Sequence, residues 1–137
     1  MLEQISLYMA GLPTFFSYFA IGGILMLAGL TIYNRLTPLN EWVLINKGDS
    51  AAAVAFAGSL LGIVIPLASA ISNAQTTIEC VLWGVVAVSV QLMAFFAVRL
   101  FMPSISEQIK RGDMAAGIVL AAISLSVGLL NAASMTF

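Results

Sequence analysis

Residues 113–137 read DMAAGIVLAAISLSVGLLNAASMTF and follow the plan of residues 49–73, which read DSAAAVAFAGSLLGIVIPLASAISN. The boundary before each stretch also recurs, since Lys47-Gly48-Asp49 returns sixty-four positions later as Arg111-Gly112-Asp113. A repeat of this length indicates an internal duplication whose unit is an apolar helix, a charged loop and a second apolar helix. We place the first repeat at about 15–73 and the second at about 79–137, within a single membrane domain spanning 1–137.

The composition is that of a membrane protein. Hydrophobic residues make up 61% of the chain and charged residues 8%, against roughly 25% charged residues in soluble domains. The net charge of −1 provides no basic field for nucleic acid. The chain has one cysteine and no histidine, so no histidine can pair with that cysteine in a metal site or a nucleophilic dyad. We therefore expect an all-α polytopic protein that is not an enzyme and has neither a metal nor a cofactor.

Four apolar segments are long enough to cross a bilayer about 30 Å thick. We predict spans at about 15–36, 51–73, 78–101 and 114–136. Gly11 and Pro13 should separate the first span from a short interfacial helix over residues 1–10. The loop within each repeat should form a short amphipathic helix, because a proline begins it and a glycine ends it.

The cations predict the orientation. Every Lys and Arg lies in or beside the two loops within the repeats, and the positive-inside rule assigns those loops to the cytoplasm. Both termini are then expected on the outer side. The same loops offer side chains for cytoplasmic surface contacts, which we predict to be Arg35, Glu41, Trp42, Arg99 and Glu107.

Small residues recur at spacings of three or four along the second and fourth spans. Such stripes let helix backbones approach closely, although a pore lining would use the same residue types. We read them first as helix packing, at Ala55, Gly58, Gly62, Gly117, Ala121 and Gly128.

Polar side chains within the spans leave two readings open. Gln91 lies near mid-depth of the third span, and its counterpart in the first repeat is Leu27. It either bonds to another helix as polar glue, which we favour, or lines a water-filled path. Pro66 removes a helix hydrogen bond and should kink the second span. The other candidates for pore lining or interhelical contact are Ser69, Asn73, Ser124 and Asn131.

Four parts of the sequence together resemble a known family: residues 32–42 (IYNRLTPLNEW), residues 62–70 (GIVIPLASA), Gln91-Leu92 with Val98-Arg99-Leu100, and residues 131–136 (NAASMT). The chain resembles the YjfL-like bacterial inner-membrane proteins, built from two copies of domain of unknown function 350. This resemblance implies a bacterial inner-membrane location. Members are often encoded beside phage-shock-type membrane-remodelling proteins and polyamine-related ligases, which implies a part in envelope maintenance.

Two functional hypotheses follow. The first is a non-enzymatic homo-oligomer that contacts membrane lipid and acts as a scaffold or docking platform for an envelope-stress protein. This hypothesis is supported by the shortage of residues that could carry out catalysis, by the small-residue stripes and by the amphipathic loops. The alternative is a passive ion or small-solute channel formed by the oligomer, using Gln91, Ser124 and Asn131.

Overall fold

The computed structural model describes residues 1–36 and 41–135, although the side chain of Leu36 is not among the described groups. Within these ranges the chain forms seven α-helices and no strand. In order they are α1 Leu2–Ala10, α2 Leu12–Leu36, α3 Glu41–Asn46, α4 Ser50–Asn73, α5 Thr77–Phe101, α6 Ile105–Lys110 and α7 Met114–Ala133. Each half therefore contains a long helix, a six-residue helix and a second long helix. The predicted proline start of the first loop helix, at Pro38, lies outside the described residues.

In the part of the chain that the structure describes, four segments are long and apolar enough to cross a membrane, which confirms the predicted all-α polytopic fold. The first differs from the prediction because it combines α1 and α2 in one segment, Leu2–Arg35. Gly11 does not break the helical path, since its φ of −81° and ψ of −11° are helical values. Pro13 lies in the first turn of α2, where its missing N–H needs no partner.

Matching turns lead from each loop helix into the next span. Gly48 and Gly112 have φ values of 84° and 79°, a conformation that glycine adopts without a steric penalty. The Asp49 side chain then accepts a hydrogen bond from the Ala52 N–H and begins α4. Asp113 accepts from the Ala116 N–H in the same way and begins α7. The turn chemistry of the two loops is therefore the same.

Helices α4 and α7 form the centre of the molecule and run parallel. A Cβ added at Gly58 would lie 2.3 Å from the Ala121 Cα, and one added at Gly128 would lie 2.8 Å from the Gly62 carbonyl oxygen. At the start of the pair, a Cβ at Gly117 would lie 2.5 Å from the Ala51 carbonyl oxygen. The two backbones touch because neither helix places a large side chain between them.

The other helices pack around this pair. Helix α5 contacts both α4 and α7, and α2 packs against α5 and, less extensively, α4. At the end that carries α3 and α6, here called the loop end, Ile105 and Ile109 of α6 join a buried cluster with Ala52 of α4 and Leu120 of α7. A second cluster includes Tyr33, Ile63 and Phe95. Helix α1 buries none of its residues.

Candidate functional site

The Gln91 side chain lies in the interior of the bundle and is 0% exposed. Its Nε2 donates a hydrogen bond of 2.9 Å to the Ser124 carbonyl oxygen, which joins α5 to α7. Gly62 of α4 leaves room for this amide, because a Cβ at Gly62 would lie 2.6 Å from Nε2. Among the described residues, neither Gln91 Oε1 nor Ser124 Oγ has a hydrogen-bond partner.

Two further polar side chains bond across helices toward the opposite end from the loops. Asn131 of α7 donates from Nδ2 to the Ala87 carbonyl oxygen of α5 at 3.0 Å. Ser69 of α4 donates from Oγ to the Ala132 carbonyl oxygen of α7 at 2.9 Å. Asn73 is exposed and donates to the Ser69 carbonyl oxygen within its own helix, at 2.8 Å.

These bonds place three of the candidate polar residues inside one chain. Gln91, Ser124 and Asn131 are all buried, and the two bonded amides reach backbone carbonyls of neighbouring helices. A pore formed between subunits would need polar groups on the outer surface of each chain. In this arrangement, these three residues do not line such a surface.

The residues singled out for helix packing all lie in the spanning helices α4 and α7. Within a single chain, Gly58 meets Ala121 and Gly62 meets both Ser124 and Gly128. Pro66 is buried within α4, which continues from Ser50 to Asn73. The close approaches are therefore contacts within the molecule. The other packing residues, Ala55, Gly117 and Ala121, are also buried.

The loop-end residues differ in exposure. Arg35, Trp42 and Glu107 are exposed, and Arg99 is half-buried. Glu41 corrects the expectation of a surface contact, because its side chain is only 2% exposed. The amphipathic pattern of the loop assigned this carboxylate to water, whereas α3 packs so that Glu41 faces the bundle.

Glu41 belongs to a group of polar side chains that was not predicted from the sequence. We call this group the Glu41 cluster; it consists of Tyr33, Glu41, Ser59 and Arg99. The Tyr33 hydroxyl donates a hydrogen bond of 2.6 Å to Glu41 Oε1. Ser59 Oγ lies 3.3 Å from that hydroxyl and 2.9 Å from the Ala55 carbonyl oxygen. The Tyr33 ring packs on Phe95 with ring centroids 4.6 Å apart. The sequence places Tyr33 only near the end of the first span, and its partner Glu41 is evident only in the structure.

Burial is the main electrostatic influence on Glu41. It raises the pKa of the Glu41 carboxyl from 4.5 to about 7, while the hydrogen bond from Tyr33 and the positive charge of Arg99 offset part of that rise. The second carboxyl oxygen, Oε2, is buried and has no hydrogen-bond partner among the described residues. An ionised carboxylate in such a place is unfavourable unless its lone pairs are satisfied.

The described residues contain no group of three or more His, Cys, Asp or Glu side chains that could hold a metal ion. Cys80 is buried and is not in a disulfide. The polar groups described above thus fall into two sets, the interhelical bonds in the bundle and the Glu41 cluster at the loop end.

Comparison with known proteins identifies relatives over nearly the whole chain. The UPF0719 inner membrane protein YjfL of Escherichia coli (strain K12) is 44% identical over 126 residues, which cover 92% of this chain and 96% of that protein. The UPF0719 transmembrane protein YshE of Bacillus subtilis (strain 168) is 26% identical over 121 residues, covering 87% and 90%. No solved structure matches the chain significantly.

The family described as Domain of Unknown Function, DUF350, matches residues 6–135. This range includes α2 through α7 and part of α1. The match and the relatives confirm the family resemblance inferred from the sequence. The chain is therefore a membrane protein that belongs to the DUF350 family.

Proposed function

We propose that this protein is a non-enzymatic inner-membrane scaffold whose loop end docks a protein of bacterial envelope maintenance or stress. The observation that carries the proposal is the direction of the interhelical bonds. Gln91 and Asn131 donate to backbone carbonyls across helix boundaries inside the chain. Each bond of this kind contributes about 0.6 to 2 kcal/mol in a membrane, so together they favour one fixed arrangement of the spans.

The loop end provides the surface that such a scaffold would use. Trp42 is 58% exposed and its ring lies 5.6 Å from that of Phe56, which holds it beside α4. Exposed aromatic and basic side chains are frequent anchors in protein interfaces and at anionic lipid surfaces. The exposed cations at this end are Arg35, Lys47, Lys110 and Arg111.

Homo-oligomerisation is part of the proposal. The outward faces of the spans carry large apolar side chains, among them Phe19, Phe96 and Leu130. Lipid covers such faces as readily as another protein copy, so association would depend on close packing rather than on hydrophobicity. Cross-linking of the protein in native membranes would measure the number of copies.

Site-specific photo-crosslinking in living cells tests the docking role. A photoreactive residue replacing Trp42 should give discrete adducts with another protein, whereas one replacing Ile78, an exposed residue at the opposite end of the bundle, should not. Equal adducts from both positions, or none from position 42, would contradict a docking surface at the loop end. Adducts only with further copies of this chain would support the oligomer alone.

A channel formed by the oligomer is the second candidate. The observation in its favour is the pair of buried polar atoms without a described partner, Gln91 Oε1 and Ser124 Oγ. Both atoms lie inside one chain, so a path between subunits would not reach them without rearrangement. Ion flux into liposomes containing the purified protein distinguishes the two functions. Flux at the level of empty liposomes is expected for the scaffold.

A further inference from the structure

Helices α3 and α6 occupy matching places in the two halves, but they are attached by different chemistry. Each has six residues, and α6 begins sixty-four positions after α3, at Ile105 instead of Glu41. Ile105 is 2% exposed and packs in the apolar cluster at the loop end. Glu41 is equally buried at 2%. A carboxyl group thus fills a position for which the other half uses an isoleucine.

Three elements face this carboxyl. Helix α2 contributes Tyr33, which donates to Oε1 at 2.6 Å, and α4 contributes Ser59 behind that hydroxyl. Helix α5 contributes Arg99, whose charge acts on the carboxyl. Oε2 is buried and has no hydrogen-bond partner among the described residues. When ionised, the group would keep a charged oxygen away from water, and a bound proton removes that cost.

We infer that Glu41 is a proton-binding site whose occupancy controls how firmly α3 is held against the bundle. Glu41 is the buried residue of α3, whereas Leu44 and Ile45 are only partly buried against the loop-end cluster. Trp42 adds its ring contact with Phe56. A change at Glu41 therefore acts on the buried residue of a six-residue helix. This inference concerns α3 itself and does not depend on the scaffold role.

The direction of the pH effect follows from the burial of Glu41. Burial raises the pKa of the docked carboxyl from 4.5 to about 7. Docking should then be strongest below about pH 4.5 and should weaken as the pH rises to about 7, because the undocked form releases its proton first. A shift of this size corresponds to a change on the order of a hundredfold in the docking equilibrium. Above about pH 7 the carboxyl is ionised in both the docked and the undocked form, so a further rise in pH does not change the docking equilibrium.

Fluorescence of Trp42 in the full chain, reconstituted in nanodiscs, would test the inference. A Trp83→Phe background leaves Trp42 as the only tryptophan, since the chain has two. Quenching of Trp42 by acrylamide should increase as the pH is raised from about 4.5 to about 7, because undocking of α3 separates the indole from Phe56. No change in quenching over that range would overturn the inference.

Substitutions assign the response to Glu41. Glu41→Ile introduces the residue found at the matching position of α6, and Glu41→Gln removes the ionisable group at similar volume. Both should keep quenching low and independent of pH. Glu107→Gln is the matched control, because it removes an exposed carboxylate of the other loop helix and should titrate like the parent protein. A Glu41→Ile protein that titrates like the parent would overturn the inference.

Tyr33→Phe provides an independent variant should those at Glu41 fail to fold. The Tyr33 hydrogen bond lowers the pKa of Glu41, so its loss should move the quenching midpoint to higher pH. The ring contact with Phe95 does not need the hydroxyl. A midpoint that stays in place or moves to lower pH would contradict the assigned role of Glu41.

Discussion

At the scale of single residues, glycines decide how closely α4 and α7 can approach. A Cβ at Gly62 would lie 2.6 Å from Gln91 Nε2 and 2.7 Å from the Ser124 carbonyl oxygen. Real side chains do not tolerate such distances, so a substitution must push two helices apart. Gly23 of α2 differs, because a Cβ there would meet nothing within 4 Å. Both glycines lie within helices, and only their surroundings differ.

Gly62→Ala is therefore expected to lower the free energy of unfolding by about 1–3 kcal/mol, the usual cost of overpacking. Gly23→Ala is the matched control and should leave it unchanged or raise it by up to about 1 kcal/mol, because alanine favours a helix. Unfolding in detergent, followed by circular dichroism, measures both. Equal effects of the two substitutions would contradict the close contact of α4 with α7.

Gln91→Leu tests the interhelical amide and the channel hypothesis together. It removes the bond to the Ser124 carbonyl at similar side-chain volume and should cost about 1 kcal/mol of stability. It also removes Oε1, a buried oxygen that has no described partner. Removing an unsatisfied polar atom is favourable, so the net loss of stability is expected to lie between zero and about 1 kcal/mol. Conductance across planar bilayers should be at background for both proteins. A current in the parent protein that the leucine variant loses would establish a water-filled path at Gln91.

At the scale of elements, the turns that lead into α4 and α7 use one device twice. A glycine in the left-handed conformation ends each loop helix, and the next residue, Asp49 or Asp113, caps the span. Helix starts need such acceptors because their first N–H groups have no partner within the helix. Because α4 and α7 run parallel, the two turns and both loop helices lie at the same end of the bundle.

Removal of the cap by Asp113→Ala should destabilise the protein by about 1 kcal/mol, because the Ala116 N–H loses its acceptor. Glu107→Ala serves as the control. It breaks only an exposed ion pair with Lys110 at 3.8 Å, which contributes less than about 0.5 kcal/mol. Thermal unfolding in the same detergent compares the two. A larger loss from Glu107→Ala would show that the loop, not the helix start, limits stability.

At the scale of the whole molecule, the distribution of charge predicts the orientation. All five cations lie in or beside the two loops within the repeats. These loops contain α3 and α6, which lie at one end of the bundle. Four spans return both termini to the opposite end. Because Lys and Arg are retained on the cytoplasmic side during insertion, we predict that the loop end faces the cytoplasm.

Cysteine labelling in intact cells measures this orientation. With Cys80→Ala as background, a cysteine at Gln75 should react with a membrane-impermeant maleimide, and a cysteine at Asn46 should react only after the cells are opened. Both positions are exposed, so access to the reagent depends on the side of the membrane. Labelling at position 46 from outside would reverse the predicted topology.

The sequence by itself determined the helices and the membrane class. Span length and apolar composition predict four crossings, and glycine followed by aspartate predicts the start of α4 and α7, because these signals act between neighbouring residues. The start of the first span was less well predicted, since Gly11 and Pro13 can both be accommodated in helical backbone. Glu41 was predicted from the sequence to be a surface contact, and its burial was not inferred.

The tertiary structure decided which faces of the helices turn inward. Gln91 bonds to a carbonyl thirty-three residues away, and Asn131 to one forty-four residues away. A local sequence pattern therefore cannot predict their partners. Periodicity does not indicate the inner face either, because lipid and protein interior are similarly apolar. Only the packing of α4 against α7 assigned the small residues to contacts within one chain. The docking of α3 likewise placed Glu41 beneath Tyr33, because an amphipathic pattern predicts a polar face but not what covers it.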